Sequence, residues 1–537
     1  MQTYKNQKLK LKNMRPLLIV LLIGFSLNIR AQLTFQKEIG GSSNDLLSSV
    51  QQTADGGYIF LGYTTSFGAG SYDFYLVKTD ANGVMLWTRT FGGSGTEYGY
   101  AVQQTSDGGY IVIGSTTSFG AGSQDILLIK TDTIGNSVWT KTFGGTGGET
   151  GTDVHQTSDG GYIITGSTNS YGAGGSDVYL IKTDVNGDSL WTKTFGTATL
   201  NAALKALQTT DGGYIIAGYT NSSATGSDIY FIKTDPNGNP TWTRTLVGLF
   251  NEDGYSIQQT ADKGYIIGGY TNGFGAGNYD LYLVKTDSTG AILWSKTYGG
   301  TNDDLGYSVR QTSDGGYIFA GNTTSFGAGN SDVYLVKTDA NGDSLWTRTF
   351  GDNDFEYGYS TQQTTDGGYI VAAYTKNSSS NLFDCYFIKT DANGNSLCNQ
   401  GSSNAVVTAP TTTLTNFTTQ VSSGGIVGSF FPVTLGGGTV STICTTTGIN
   451  ESKLNENFLS ISPNPFSSQT VLQTNIILSN ATLSVENCLG QTVKQLKNIS
   501  GNNITLLRDN LASGLYYICL TEGNTIIGKT KLIVTDN

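Results

Sequence analysis

A repeat governs most of this chain. The turn Asp107-Gly108-Gly109-Tyr110 has counterparts whose aspartates are Asp55, Asp107, Asp159, Asp211, Asp262, Asp314 and Asp366. Five of the successive spacings are 52 residues and one is 51. The fifth copy departs from the motif with Lys263 after its aspartate. The short step traces to the fourth copy, where Asn221-Ser222-Ser223-Ala224-Thr225-Gly226-Ser227-Asp228 is one residue shorter than its counterparts. A fixed period near 50 residues marks a propeller, a solenoid or an array.

Each copy holds four strand-like runs. In the sixth they are Gly306–Thr312, Tyr317–Gly321, Asp332–Lys337 and Asp343–Phe350. They are joined by Ser313-Asp314-Gly315-Gly316, by the loop Ser325-Phe326-Gly327-Ala328-Gly329, and by Asp339-Ala340-Asn341-Gly342. Asn-Gly and Asp-Gly between apolar runs signal hairpins, because these residues tolerate the positive φ of tight turns. The middle two runs are almost continuously apolar, the pattern of strands buried on both faces. Four such strands repeated seven times predict an all-β, seven-bladed β-propeller. An open solenoid would need caps that the sequence lacks.

The two ends of the repeat region fit a closed ring. The tryptophans Trp87, Trp139, Trp191, Trp242, Trp294 and Trp346 occupy one position of the fourth run, and the seventh copy has Cys398 there. An orphan fourth strand, Leu33–Gly41, opens the mature chain and places Phe35 at the tryptophan position. The N-terminal strand is therefore expected to complete the last blade and remove an open edge. Packing between blades accounts for this aromatic set; a sugar-stacking ring is the alternative.

The predicted organisation is a signal peptide over 1–31, a propeller over 32–398, a Thr/Ser/Gly-rich linker over 399–456 with a strand or two, and a small β-sandwich over 457–537. Basic residues precede the apolar run Pro16–Phe25, and Ala31-Gln32 is the expected cleavage site. No other apolar run approaches 18 residues, so no transmembrane segment is expected in the mature chain. Net charge is -11, and residues 1–31 contribute six basic residues and no acids. The remainder carries 24 basic against 41 acidic residues, which disfavours a nucleic-acid partner. Of five cysteines, Cys398 and Cys444 flank the linker and are the candidate disulfide.

The C-terminal segment opens with Pro463-Asn464-Pro465 and has a turn at Gly490-Gln491. It continues with the strand Ser513-Gly514-Leu515-Tyr516-Tyr517 and a last strand containing Lys529. It resembles the type A C-terminal sorting domain of the type IX secretion system of certain Gram-negative bacteria. The resemblance implies Sec export, passage through the outer-membrane machinery, removal of the tail, and then release or attachment to surface lipopolysaccharide. The implied destination is the medium or the outer cell surface.

No catalytic constellation emerges from the residues. The single histidine, His155, stands where other copies have Gln51, Gln103, Gln258 or Arg310, and reads as a tolerated substitution. A Ser-His-Asp triad or a His-based zinc site would have to use it. The turn aspartates match the front half of sialidase Asp boxes, and turn formation explains them. Asp80-Ala81-Asn82-Gly83 begins like a calcium loop but lacks the later ligands; a hairpin turn is the simpler reading, with Ca²⁺ the alternative, and no other cofactor is implied. The expected role is binding of an extracellular protein or glycan, in adhesion or substrate capture. The alternatives are a polysaccharide hydrolase or lyase using carboxylates of the channel, and a structural surface component. The least regular stretches are 197–201, 247–253 and 376–384, where a binding face would be built. Replacing 247–253 with the matching stretch of another copy should abolish ligand binding; unchanged binding would refute that placement.

Overall fold

The computed structural model describes residues 32–536 except 224–225, 249, 378–379, 397–398, 404, 411–412, 417–419, 423–425, 429–432, 436–438, 448–458, 488–490 and 524. The expected signal peptide and Cys398 lie outside these residues, and with Cys398 the candidate disulfide to Cys444. Among them there is no helix.

Seven four-stranded antiparallel units follow one another as the repeat requires. Blade one comprises Asp45–Gln52, Tyr58–Thr64, Asp73–Thr79 and Met85–Gly92. Its two middle strands are buried along nearly their whole length. Blade seven takes three strands from Glu356–Thr390 and its fourth from the N-terminus: Leu33–Gly40 pairs with Leu382–Thr390 in the register Phe35↔Lys389. This is the predicted closure. The chain is an all-β protein with a seven-bladed propeller.

Neighbouring blades are joined by three recurrent devices. Each tryptophan meets the tyrosine that opens the next blade's second strand, as in Trp87–Tyr110 at 5.8 Å and Trp346–Tyr369 at 5.7 Å. Phe35 plays the same part against Tyr58, at 6.2 Å. Each such edge-to-face pair adds about 1 kcal/mol beyond its buried area. The ring also roofs the next blade's turn: a Cβ on Gly135 would sit 2.6 Å from the Trp87 ring, and Gly135 has φ +82°. Finally, the last glutamine of each first strand accepts a backbone N–H from the preceding blade. Gln104 takes that of Ala54, and Gln52 takes that of Thr365 across the closure.

Within each blade the turn aspartate holds a buried lysine of the third strand. Seven such pairs, from Lys78–Asp55 to Lys389–Asp366, measure 2.8–2.9 Å. The Lys78 ammonium also donates to the Thr79 carbonyl, while Asp55 caps Thr53 and the Gly57 amide. A buried ammonium left without its carboxylate costs several kcal/mol, so these aspartates secure the fold. They form turns, as the sequence suggests.

The stretch 399–456 departs from the expected linker. It supplies seven short strands, each a fifth strand for one blade, laid in reverse order round the ring. Gln400–Gly401 joins blade six, Val406–Thr408 blade five, Thr413–Asn416 blade four and Gln420–Ser422 blade three. Ile426–Gly428 and Val433–Leu435 join blades two and one, and Thr439–Thr447 pairs with the N-terminal strand. The residues facing one equivalent position are Gln400, Val407, Leu414, Val421, Val427, Thr434 and Val440. That step of six or seven residues is too short to register as a repeat beside a 52-residue one. The belt pairs edges that the fourth strands would otherwise expose.

The C-terminal region is β-rich. Its strands Leu459–Ser462, Gln469–Glu486, Thr492–Leu507, Gly514–Glu522 and Thr525–Val534 surround a core that includes Leu472, Leu483, Leu506, Leu520 and Leu532.

Between blades lie pairs of buried acids. Asp73 and Glu97 converge on Gly92, where a Cβ would meet Asp73 Oδ1 at 1.8 Å and Glu97 Oε2 at 2.5 Å. Only glycine fits there. Asp280/Asp304 converge on Gly299, and Asp332/Glu356 on Gly351. At blade four Asn201 takes the place of one acid. Asp73 Oδ1, Asp280 Oδ1 and Glu252 Oε2 have no hydrogen-bond partner among the described residues. A carboxyl that keeps its proton can make that bond to the facing carboxylate. Burial, followed by neighbouring carboxylates (Asp352 and then Asp332 for Glu356), pushes Glu252 up to about 7, Glu356 to about 8, and Asp280 and Asp384 to about 6. An acid whose pKa is raised on folding lends stability that is complete below its unfolded value near 4 and is lost as pH climbs through its folded value. The propeller should therefore melt at least about 3 °C lower at pH 8.5 than at pH 5. A calorimetric scan showing equal or higher melting at pH 8.5 would refute the retained-proton account.

Candidate binding site in the propeller channel

The first strand of each blade lines the axis, and all seven are interrupted at the same place. A bulge falls between Leu47 and Ser49, between Gly99 and Ala101, and at the equivalent point of every other copy. The extra residue is left out of the ladder and its side chain is re-aimed. These residues are Ser48, Tyr100, Thr152, Leu204, Tyr255, Tyr307 and Tyr359, and all seven line a cavity of about 790 Å³. That volume suits a small ligand or a short stretch of polymer.

Six tyrosines, Tyr63, Tyr100, Tyr255, Tyr307, Tyr359 and Tyr374, are in the wall. Tyr307 stacks on Tyr359 at 4.9 Å and 14°, and Tyr359 on Tyr374 at 5.4 Å and 24°. The hydroxyls of Tyr359 and Tyr374 are 3.2 Å apart, as are those of Tyr255 and Tyr270. Burial raises the Tyr255 pKa to about 12 and pushes up those of Tyr63, Tyr307 and Tyr374 as well. These phenols stay neutral and serve as stacking faces and hydrogen-bonding groups, not as bases.

Blades three and four interrupt the wall with charge. The residue after the bulge is Ser49, Ala101, Ser256, Ser308 or Ser360 in five blades, but Asp153 and Lys205 in these two. Lys205 Nζ lies 3.3 Å from Asp153 Oδ1, and His155 Nε2 lies 3.1 Å from Asp153 Oδ2. The His155 contact lacks hydrogen-bond alignment, so its buried Nε2 has no hydrogen-bond partner among the described residues. Burial works to raise the Asp153 pKa, but His155 and Lys205, with Arg310 behind them, outweigh it and hold the carboxyl well below the usual range. Burial lowers the pKa values of Lys205 and Arg310.

Two residues further along each first strand runs a collar of donors. Gln51, Gln103, Gln258 and Gln362 each use Oε1 to accept a backbone N–H of the next blade, at 2.6–2.9 Å. These side chains line the cavity, and no hydrogen bond among the described residues occupies their Nε2 groups. At this level blade three has His155, blade four Leu207 and blade six Arg310. Each departure gives up the inter-blade bond that glutamine makes. The Arg310 guanidinium has no hydrogen bond among the described residues.

The sequence alone makes His155 a tolerated substitution; the structure places it in the channel lining, against Asp153 and on the same wall as Lys205 and Arg310. Stacking the seven first strands shows these departures two residues apart, on the inward face. The described residues of the irregular stretches 197–201, 247–253 and 376–384 lie at the end of the ring opposite the Asp-Gly-Gly turns, because these stretches connect fourth to first or second to third strands. Phe250 and Leu200 are exposed there. They do not line the cavity. Asp80 Oδ1 accepts the Asn82 and Val84 amides at 2.8 Å, which is a hairpin turn's own bonding. In the C-terminal region Asn464 clamps the last strand, donating to the Lys531 carbonyl at 2.9 Å and accepting from Ile533 N at 2.8 Å. Tyr516 OH donates to the Ala512 carbonyl. Lys529 stands opposite Cys519, and Gly490 lies outside the described residues.

Comparison with known proteins bears on the two ends of the chain differently. Residues 460–535 match the family described as the secretion system C-terminal sorting domain. The protein thus carries a type IX sorting tail and is directed through that machinery to the cell surface or the medium. A regulatory protein, FlaEY of Caulobacter vibrioides, is 26% identical over 201 residues, which is 30% of this chain and 20% of that protein. The match thus spans a fifth of the curated relative's length. Among solved structures, a fungal alcohol oxidase in complex with copper aligns at TM-score 0.38 and 10% identity, over 94% of this chain and 100% of that one. An arabinanase from Thermotoga petrophila aligns at 0.25 and 11%, over 67% and 100%. At such scores neither likeness carries an argument.

Lys205→Met would leave Asp153 with His155 alone and should cost roughly 2 kcal/mol in denaturant unfolding, given the open side of the channel. The double variant Asp153→Ser/Lys205→Ser, which uses the residue type of the other blades, should recover most of that loss. Equal losses in both variants would show the pair to be uncoupled.

Proposed function

We propose that the protein is an extracellular binding protein: the channel of the propeller takes the ligand, and the tail sends the module to the surface. The observation that carries this is the asymmetry of the inward face. Blades one, two, five and seven carry the bridging glutamine at the collar, while blades three and six give up that inter-blade bond to set His155 and Arg310 in the lining, and blade four has Leu207 at this level, outside the lining. Local rules broken without structural compensation mark functional positions. The propeller over 32–398 is the binding module, the belt holds its rim, and attachment to lipopolysaccharide or release follows removal of the tail.

Binding is favoured over hydrolysis by the carboxylates. Asp153 is the one acid among the described residues lining the cavity, and its charge is engaged by Lys205 and His155. Glycoside hydrolysis needs two carboxyls flanking the bond. The perturbed acid pairs lie between blades, each wrapped round a glycine. One observation favours a lyase as the second reading. A histidine backed by an aspartate, near two cations, could take a proton from a sugar carboxylate's α-carbon.

The test exposes the purified mature chain to a glycan array and to soluble polysaccharides, with assays for reducing ends and unsaturated sugar products. Binding without either product is expected, and Tyr307→Ala/Tyr359→Ala should weaken it at least tenfold. New reducing ends or unsaturated products would replace the binding reading with a catalytic one.

A further inference from the structure

We infer that the channel recognises an oxyanion, carboxylate or sulfate, on an acidic polysaccharide, with a sugar ring lying on the tyrosine wall. This rests on the reading of the channel as the binding site and adds the chemistry of the ligand.

The collar is the starting point. Its glutamines are fixed in orientation, because each Oε1 is tied to the neighbouring blade's backbone. Their Nε2 groups, which no hydrogen bond among the described residues occupies, remain to donate to a ligand there. Arg310 adds a planar fork of N–H donors without a partner, suited to bidentate contact with a carboxylate or sulfate. Arg310 and Lys205 against Asp153 leave at least one net positive charge in this region. The chain as a whole carries -11. A positive, donor-rich spot enclosed in a negative protein has no internal use. These donors are half-buried along an open channel, where a ligand that brings acceptors can take the place of water.

The tyrosines decide the class of molecule. Neutral rings with hydroxyl edges, close to amide donors, match the alternating apolar and hydroxylated faces of a pyranose. An acidic peptide would satisfy the cations but make poorer use of a continuous aromatic wall. The aromatic wall and the collar lie three residues apart along the same strands, about 10 Å at the usual rise. That separation lets adjoining units of one acidic polymer contact both.

Titration calorimetry on the full mature chain tests this with four probes: an oligogalacturonate, its carboxyl-reduced neutral counterpart, a sulfated galactan oligosaccharide and an oligoglutamate. The variant is Arg310→Gln, which installs the residue type of four other blades, can regain their inter-blade bond, and so should not lower the melting temperature. One or both acidic sugars should bind at least tenfold more tightly than the neutral one, and Arg310→Gln should remove most of that advantage. Preference for the oligogalacturonate over the sulfated sugar, or the reverse, identifies which oxyanion is taken. Equal binding of charged and neutral sugars, weakened by Tyr307→Ala, would overturn the oxyanion inference while leaving the channel reading intact. Binding of the acidic sugars that neither Arg310→Gln nor Tyr307→Ala alters would overturn both. Binding of oligoglutamate alone, or of no probe, would overturn the assignment to an acidic polysaccharide.

Discussion

Everything in this propeller depends on a blade's inability to hide its own faces. The strands Tyr58–Thr64 and Asp73–Thr79 are buried on both sides, yet one sheet has nothing of its own to lay against them. Only a neighbour can do it, and the last neighbour must be the first. The aromatic pairs, the glutamine bridges and the acid pairs all sit at this one type of boundary. Closure makes the boundaries equivalent, so each residue type that serves one is needed seven times. That requirement is why the sequence repeats so strictly.

The same strictness makes function visible by contrast. Where glutamine would bridge to the next blade, Arg310 and His155 do not. Where a small residue would follow the bulge, Asp153 and Lys205 form a pair. The bulge itself gives each blade one side chain freed from the ladder and turned toward the axis. A scaffold of identical units therefore offers seven addressable positions, and the chain has filled them unequally.

Much of this could be read from residues alone. The 52-residue period, the hairpin turns and the orphan strand Leu33–Gly41 gave the blade count and its closure, because each reports a local backbone preference or a missing partner. The tryptophan position was equally legible, with Phe35 as its seventh member. The channel was not. Its members are spread over strands 50 or more residues apart, and the bulge that turns Tyr307 inward has no signature of its own. The belt was hidden for a different reason. Its Thr-, Ser- and Gly-rich composition looks like linker, and its first six strands, of two to four residues, draw their order from the edges they join rather than from themselves.

The belt also bears on how the ring comes apart. Its final and longest strand, Thr439–Thr447, lies along Leu33–Gly40, the strand that closes the circle. That closing strand is bound on its other edge by Leu382–Thr390. The seam where chain end meets chain start is stitched from both sides, with the second thread coming from residues made after the whole circle. Opening the seam means losing two ladders rather than one, which raises the barrier to unfolding at the joint where a ring would otherwise be weakest. A protein bound for a compartment without ATP-driven repair is fastened most firmly at its own join.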